Sequence, residues 1–258
     1  MSEKIEFMKR LAKDAGKIAM KYYNQSKDTS IKEDNSIVTN ADFEVNEFII
    51  KNIKEKYPDH NIITEEEDEI RNDSEFSWYI DPIDGTENYS RNFPLFCVSI
   101  ALAKNDEIIN VAVYLPVLDE MYYATKGEGA YVNGKKIQVS NYDKLSDSTV
   151  TFGKGHIREH IDIKKYIDVF LDEFHRLKEY GTCAIELIYI ASGKIDGMVR
   201  YYQKSWDYTA GSLIVTEAGG KVTGIKYDDS KFIISDVIVT NGKIHDEIIE
   251  LIKNIETK

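Results

Sequence analysis

The stretch that most constrains this chain is residues 78–94, WYIDPIDGTENYSRNFP, in which Asp81 and Asp84 stand between an apolar run and a Gly-Thr pair. The apolar run predicts a strand, so both carboxylates fall at its carboxyl edge. Open α/β sheets bind their ligands at that edge. Pro82 stiffens the turn between the two acids. Gly85 lets backbone approach a ligand closely, and Thr86 is suited to begin a helix whose free amides favour an anion such as phosphate. Two uncompensated carboxylates this close repel each other, and one would keep its proton. A divalent cation removes that conflict. An all-oxygen site suits Mg²⁺, which retains waters and takes phosphate oxygens. An isolated Asp-x-x-Asp is more often an acidic surface turn; the apolar flank and the Gly-Thr pair shift the reading toward a site.

The rest of the chain reads as alternating elements. Ile5, Met8, Leu11, Ala12, Ala15, Ile18, Ala19 and Tyr22 form one apolar stripe, which predicts a first helix. The polar stretch NQSKDTSIKEDNS reads as a loop, and a second helix is expected from about Asp42 to Tyr57. Strands are expected at 61–64, 78–80, 95–103, 108–115 and 121–125. Asn133-Gly134 marks a hairpin, which is the better reading of GEGAYVNG than a glycine-rich nucleotide loop. Beyond it come a strand at 148–152, helices at about 160–173 and 181–192, strand IDGMVRYY, a helix at 207–218 and a final helix holding Ile244, Ile248, Leu251, Ile252 and Ile255. Strands interleaved with helices predict an α/β or α+β layered fold. With 258 residues, 42% of them hydrophobic, the chain can bury the core of one large domain, 1–258, with a plausible subdomain seam near 147.

A formal net charge of −12 opposes nucleic acid and anionic membranes as partners, although a bound cation can invert the field locally for a phosphate. Two cysteines, Cys97 and Cys183, imply no disulfide framework. The N-terminal segment is too charged for a secretory leader, and no run has the length of a membrane-spanning helix, so a cytoplasmic location is expected.

Further acids stand at comparable places. Glu65, Glu66 and Glu67 follow the apolar NIIT, Asp42 follows IVTNA, and Asp207 opens DYTAGSLIVTEAGG after Trp206. With these in view, WYIDPIDGTENYSRNFP resembles the first signature of the inositol monophosphatase family, and WDYTAGSLIVTEAGG resembles its second. The order VTNAD, IITEEE, DPIDGT, EYGTCAIELIYIASGKIDG and WDYTAG agrees too, so the resemblance spans about residues 5–255. It implies an α+β fold, a layered αβαβα sandwich. It also implies a Mg²⁺-dependent phosphate monoesterase with two or three ions, inhibition by Li⁺, a small phosphorylated metabolite as substrate, and a homodimer. Carried to this sequence, it implies that Glu65, Asp81 and the carbonyl of Ile83 hold one metal. Asp81, Asp84 and Asp207 would hold a second, and Glu65 would touch a third. Thr86 with Asp42 would orient the attacking water; the amides of Gly85 and Thr86 would hold phosphate; Gly181, Thr182 and Cys183 would contact substrate.

The sequence leaves alternatives open. Thr64 stands where the family usually has Gly, and three glutamates stand in a row, so Glu66 competes with Glu65 as the ligand. Asp42, Thr86 and Asp207 each suit an ordinary helix cap. Seven residues before Asp207, where inositol-processing relatives carry an acid, this chain has Arg200, with Lys204 nearby. A guanidinium there suits a second anion, which weakens the case for inositol 1-phosphate and raises fructose 1,6-bisphosphate, histidinol phosphate or 3′-phosphoadenosine 5′-phosphate; a solvent-facing Arg200, or one paired with a surface acid, is the plain alternative. Lys154, His156, Arg158 and His160 form a basic cluster readable as a lid or as a solvated loop. Cys183 lacks the Cys-x5-Arg pattern of a nucleophilic phosphatase loop. Two rival functions stand: a haloacid dehalogenase-type phosphatase, whose paired acids lie one residue closer together, and a transcription-associated scaffold without catalysis.

Overall fold

The computed structural model describes residues 3–32, 36–154, 162–224 and 236–257. Helix α1 (Glu3–Tyr22) leads into strand β1 (Thr29–Ile31), strand β2 (Ile37–Thr39) and helix α2 (Asn40–Lys56). Strands β3 (Asn61–Thr64) and β4 (Phe76–Asp84) follow, then the short helix α3 (Thr86–Ser90). Next come β5 (Cys97–Lys104), β6 (Glu107–Leu115), β7 (Glu120–Thr125), β8 (Gly129–Val132) and β9 (Lys135–Lys136). The second half runs β10 (Thr149–Lys154), α4 (Ile163–Glu173), β11 (Arg176–Lys178), α5 (Cys183–Ala191), β12 (Gly197–Tyr201), α6 (Ser205–Glu217), β13 (Lys221–Gly224), β14 (Val237–Thr240) and α7 (His245–Glu256). No helix among the described residues is long and apolar enough to cross a membrane.

Two large sheets organise these elements, beside the two-stranded β1-β2 pair. One has seven strands in the order β3-β4-β5-β6-β7-β8-β9, the other five in the order β11-β10-β12-β14-β13. Side chains alternate between the faces of a strand, and that alternation builds the layers. Val98, Ile100 and Leu102 of β5 join the core under α1 and α2, whereas Cys97 and Ala101 join the core under α5 and α6. On the second sheet Met198, Val237 and Val239 enter the α5/α6 core, while Val199, Tyr201 and Ile238 pack beneath α4 and α7. The sandwich is therefore helices, sheet, helices, sheet, helices, as the resemblance implies.

Most elements fall where periodicity puts them, and the hairpin forms at Asn133 and Gly134, which have φ of 47° and 82°. A two-residue turn with both φ positive matches the twist of its strands. Three differences have physical causes. The stretch read as a loop at 24–36 contains β1, whose TSI is wholly exposed and pairs with β2, so it carries no apolar alternation to betray it. Strands β11 and β13 are short edges with mixed exposure and were not anticipated. Nor was β14, whose four residues are all buried, a run too brief to separate from a helix by period.

Candidate active site

The opening motif owes its geometry to a bulge. On β4, Asp81 pairs with Ser99 and Asp84 with Cys97, so three steps on β4 match two on β5. In a regular strand residues three apart point to opposite faces. The extra residue in the Pro82-Ile83 segment corrects the parity and turns both carboxylates to one side, a re-aiming that bulges beside functional sites provide. Proline is tolerated there because a bulge needs no ladder donor. The Ile83 amide then donates to Asp81 Oδ1 at 3.1 Å. Gly85 follows with φ of 91°, and a Cβ there would come within 3.0 Å of the Leu95 carbonyl, so the turn into α3 demands glycine.

Four separated stretches meet at one cavity of about 650 Å³. Glu65, Asp81, Ile83, Asp84, Gly85, Thr86, Gly181, Thr182, Cys183, Arg200 and Asp207 all line it. Glu65 arrives because β3 runs parallel to β4 and ends beside it, with the Glu65 amide bonded to the Ile80 carbonyl at 3.3 Å. Asp84 ties the sheet to α5: its Oδ2 accepts from the Ala184 amide at 2.7 Å and from the Thr182 hydroxyl. Asp207 sits in the first turn of α6, where its Oδ2 accepts from the Lys204 amide at 2.8 Å, so it caps and faces the cavity at once.

Asp42 lies behind the cavity rather than on it. Thr39, not Asp42, is the N-cap of α2, and the two form a capping box. Asp42 Oδ2 accepts from the Thr39 amide at 2.8 Å and its hydroxyl at 2.5 Å. Oδ1 is left to the Thr86 hydroxyl, 3.2 Å away. That hydroxyl also lies 3.0 Å from the Ile83 carbonyl. Thr86 thus connects the cavity to a fully buried acid, and burial pushes Asp42 up to about 6.

Burial also drives Asp81 and Asp207 well above the usual carboxylate range, with neighbouring acids adding to it: Glu65 and Asp84 act on both. Asp84 is raised as well, again chiefly by burial, against the bonds from Thr182 and Ala184. Among the described residues no three Asp, Glu, His or Cys side chains form a ready metal cage; the oxygens rest on protein donors instead. Glu65 faces the cavity with its Oε1 on the Lys32 ammonium at 2.8 Å. Glu66 is not a lining residue, and its side chain is 2% exposed against the same ammonium at 2.7 Å. Burial and the neighbouring Glu65 push Glu66 up to about 7.

Arg200 is not the solvent-facing side chain of the plain reading, although it does meet a surface acid, Glu179, at 3.5 Å. It is 5% exposed, and its principal partner is Glu186, an acid with no exposed surface. Arg200 Nε and Nη2 fork onto the two Glu186 oxygens, the Thr151 hydroxyl donates to Oε2 at 2.8 Å, and the Tyr180 amide donates to Oε1 at 3.0 Å. Register explains the meeting, since Thr151 of β10 pairs with Met198 of β12 and both strands turn alternate residues toward α5. Lys154 lines the cavity, whereas His156, Arg158 and His160 lie outside the described residues. Cys183 is buried, and burial pushes its thiol well above the usual value, which suits a packing role and not a thiolate nucleophile.

Sequence reasoning missed Lys32, Glu179 and Glu186. Lys32 and Glu179 sit in polar stretches where nothing distinguishes them. Glu186 did leave a signal: it is a lone charge within the apolar helix CAIELIYIA, as Arg200 is within GMVRY, and buried charges of opposite sign seek each other.

Residues 1–257 match the Inositol monophosphatase family. The chain is 41% identical over 220 residues to an inositol monophosphatase of Dictyostelium discoideum, covering 82% of this chain and 81% of the relative. It is 37% identical over 254 residues to a fructose-1,6-bisphosphatase/inositol-1-monophosphatase of Aquifex aeolicus, covering 96% and 95%. Its fold superposes on a Thermotoga maritima IMPase with a TM-score of 0.91 at 31% identity, covering 99% of each chain. With Glu65, Asp81, Asp84 and Asp207 gathered from three stretches at one cavity of this fold, the chain belongs to the inositol monophosphatase family and is a phosphoric monoester hydrolase.

Proposed function

We propose that the protein hydrolyses a small phosphate monoester, of the inositol 1-phosphate or sugar phosphate kind, by direct attack of water and with Mg²⁺ as cofactor. The observation that carries this reading is the convergence of Glu65, Asp81, Asp84 and Asp207 on one cavity beside the Gly85-Thr86 turn. The donors fit a hard dication: they are carboxylates and the Ile83 carbonyl, and the upward shifts of Asp81 and Asp207 mark a negative site that a cation would relieve. Glu65, Asp81, Ile83, Asp84 and Asp207 would hold the ions. When bound, Mg²⁺ supplies charge neutralisation and an acidified water.

The chain's own residues supply orientation. Thr86 can donate its proton to Asp42 or to the Ile83 carbonyl, one at a time. With the proton turned to Asp42, the Thr86 oxygen accepts from water and aims it at phosphorus, and Asp42 draws the proton off. Thr39 holds Asp42 in place for that task. The Gly85 and Thr86 amides would hold the phosphate, and positioning with charge neutralisation supplies most of the rate.

A Mg²⁺-dependent phosphate-release screen of inositol 1-phosphate, fructose 1,6-bisphosphate, histidinol phosphate and 3′-phosphoadenosine 5′-phosphate tests the proposal. Release from at least one substrate is expected, with Asp81→Asn lowering kcat by more than about a hundredfold, above the usual loss for an outer-shell partner. An aspartyl-phosphate trapped on Asp81 or Asp84 would instead establish the haloacid dehalogenase chemistry. Undiminished release by Asp81→Asn would remove the acidic cavity from the mechanism.

A further inference from the structure

We propose that Glu179 is a specificity-determining residue that accepts a hydroxyl of the substrate's alcohol portion, with Arg200 as the residue that positions it; this deepens the phosphatase reading and rests on it. Glu179 lines the same cavity as the acidic cluster. Its side chain is 59% exposed, yet it is tethered, with Oε1 lying 3.5 Å from Arg200 Nη1. Among the described residues Arg200 is its one ion-pair partner. Arg200 is itself immobilised by the fork onto Glu186.

The backbone is shaped around this tether. Gly153 of β10 has no positive φ to explain it. A Cβ there would collide with Arg200 Nη1 and stand 2.8 Å from Glu179 Oε1. Glycine at 153 therefore leaves the room in which the exposed acid meets the buried cation.

Charge decides what such a group recognises. Arg200, Glu186 and Glu179 together carry one net formal negative charge. With three of its five donors on carboxylates and its charge more than offset by them, Arg200 is a poor receptor for a second phosphate, and the exposed group it holds at the cavity, Glu179, is an acceptor. An acceptor of this kind suits the hydroxyl of a polyol phosphate and disfavours a second anion. Lys154 and Lys204 on the same wall offer no fixed fork of this sort.

The test is steady-state kinetics of the full chain with Mg²⁺, comparing Glu179→Ala and Glu179→Gln with the parent protein on inositol 1-phosphate and on p-nitrophenyl phosphate, which has no hydroxyl to offer. Glu179→Ala is expected to lower kcat/KM for inositol 1-phosphate tenfold or more, mostly through KM, as fits loss of a charge-assisted hydrogen bond. Turnover of p-nitrophenyl phosphate should stay within about twofold, and Glu179→Gln should retain part of the discrimination. Equal effects on the two substrates, no effect on either, or a parent protein that turns over p-nitrophenyl phosphate without favouring the polyol ester would overturn this proposal alone. A parent protein inert toward both esters but active on another substrate of the four-compound screen would overturn this proposal alone, whereas one inert toward every ester would overturn the phosphatase reading and this proposal with it.

Discussion

Two groups of buried charge stand side by side in this molecule, and they solve the same problem in opposite ways. At the β4 bulge, Asp81 and Asp84 line one cavity with Glu65 and Asp207, and burial together with neighbouring acids raises the proton affinity of Asp81, Asp84 and Asp207. Next to them, Arg200 and Glu186 are just as deeply buried, but they satisfy each other through a fork and two further donors. The first group gathers like charges, offset on the protein side by hydrogen-bond donors and by the Lys32 ammonium at Glu65. The second is finished on folding, and its task is to hold neighbours still. A cluster of like buried charges is therefore a better marker of a reaction centre than a buried pair whose charges cancel.

Replacing Arg200 by Met should break this contrast most severely. It leaves Glu186 buried without its cation, at a cost of about 3–5 kcal/mol in urea-induced unfolding. Joining Glu186→Leu to Arg200→Met should recover most of that loss, because an apolar pair of similar volume avoids desolvation altogether. A double variant as unstable as the single one would show that the pair contributes more than mutual neutralisation. By contrast, Asp81→Asn should leave the metal-free protein as stable as before or more so, since it removes a repelling charge; a clear loss of Tm in chelator would contradict that.

His245 sharpens the comparison from a third side, as a buried titratable group that stays neutral. The Thr240 hydroxyl lies 2.9 Å from its Nδ1 and the Thr223 hydroxyl 2.8 Å from its Nε2. Burial first, and Lys221 second, lower it from the ordinary 6.5 to about 4. The unfolded chain then binds this proton before the folded one does. Stability present above pH 6.5 is lost as pH falls from about 6.5 toward 4, by about 3 kcal/mol at most. Unfolding free energies between pH 7 and 4 should show that slope, and His245→Gln should flatten it. A variant with the parent's slope would place the acid sensitivity elsewhere.

The smallest effect belongs to the capping box. Thr39→Ala should cost about 1 kcal/mol through the lost N-cap. It should also lower kcat, because Asp42 loses the hydroxyl that orients it. Equal kcat in Thr39→Ala would show that Asp42 is held well enough by the backbone alone.

Much of this was legible beforehand because it is local. A stripe of apolar residues at helical spacing, Asn133-Gly134 between strands, and acids at the ends of apolar runs each depend on neighbours within a few positions. What failed was equally physical. The TSI of β1 is fully exposed, so its pairing leaves no hydrophobic pattern. Lys32 is a lysine among polar residues until the fold sets it against Glu65 and Glu66. Arg200 read as a candidate anion receptor because sequence spacing fixes its distance from Asp207 along the chain and says nothing of what faces it across the sheet.

The sequence by itself determined most of the alternation of elements, the layered class, the family and the acids Asp81, Asp84 and Asp207, since each is written in periodicity or in short motifs whose chemistry is local. Only the tertiary structure decided that a bulge turns Asp81 and Asp84 to one side, that Glu65 and not Glu66 meets the cavity, and that Arg200 is bound to Glu186 and Glu179. Those outcomes depend on register between strands and on which groups lose water together, and both are set by contacts between residues far apart in the chain.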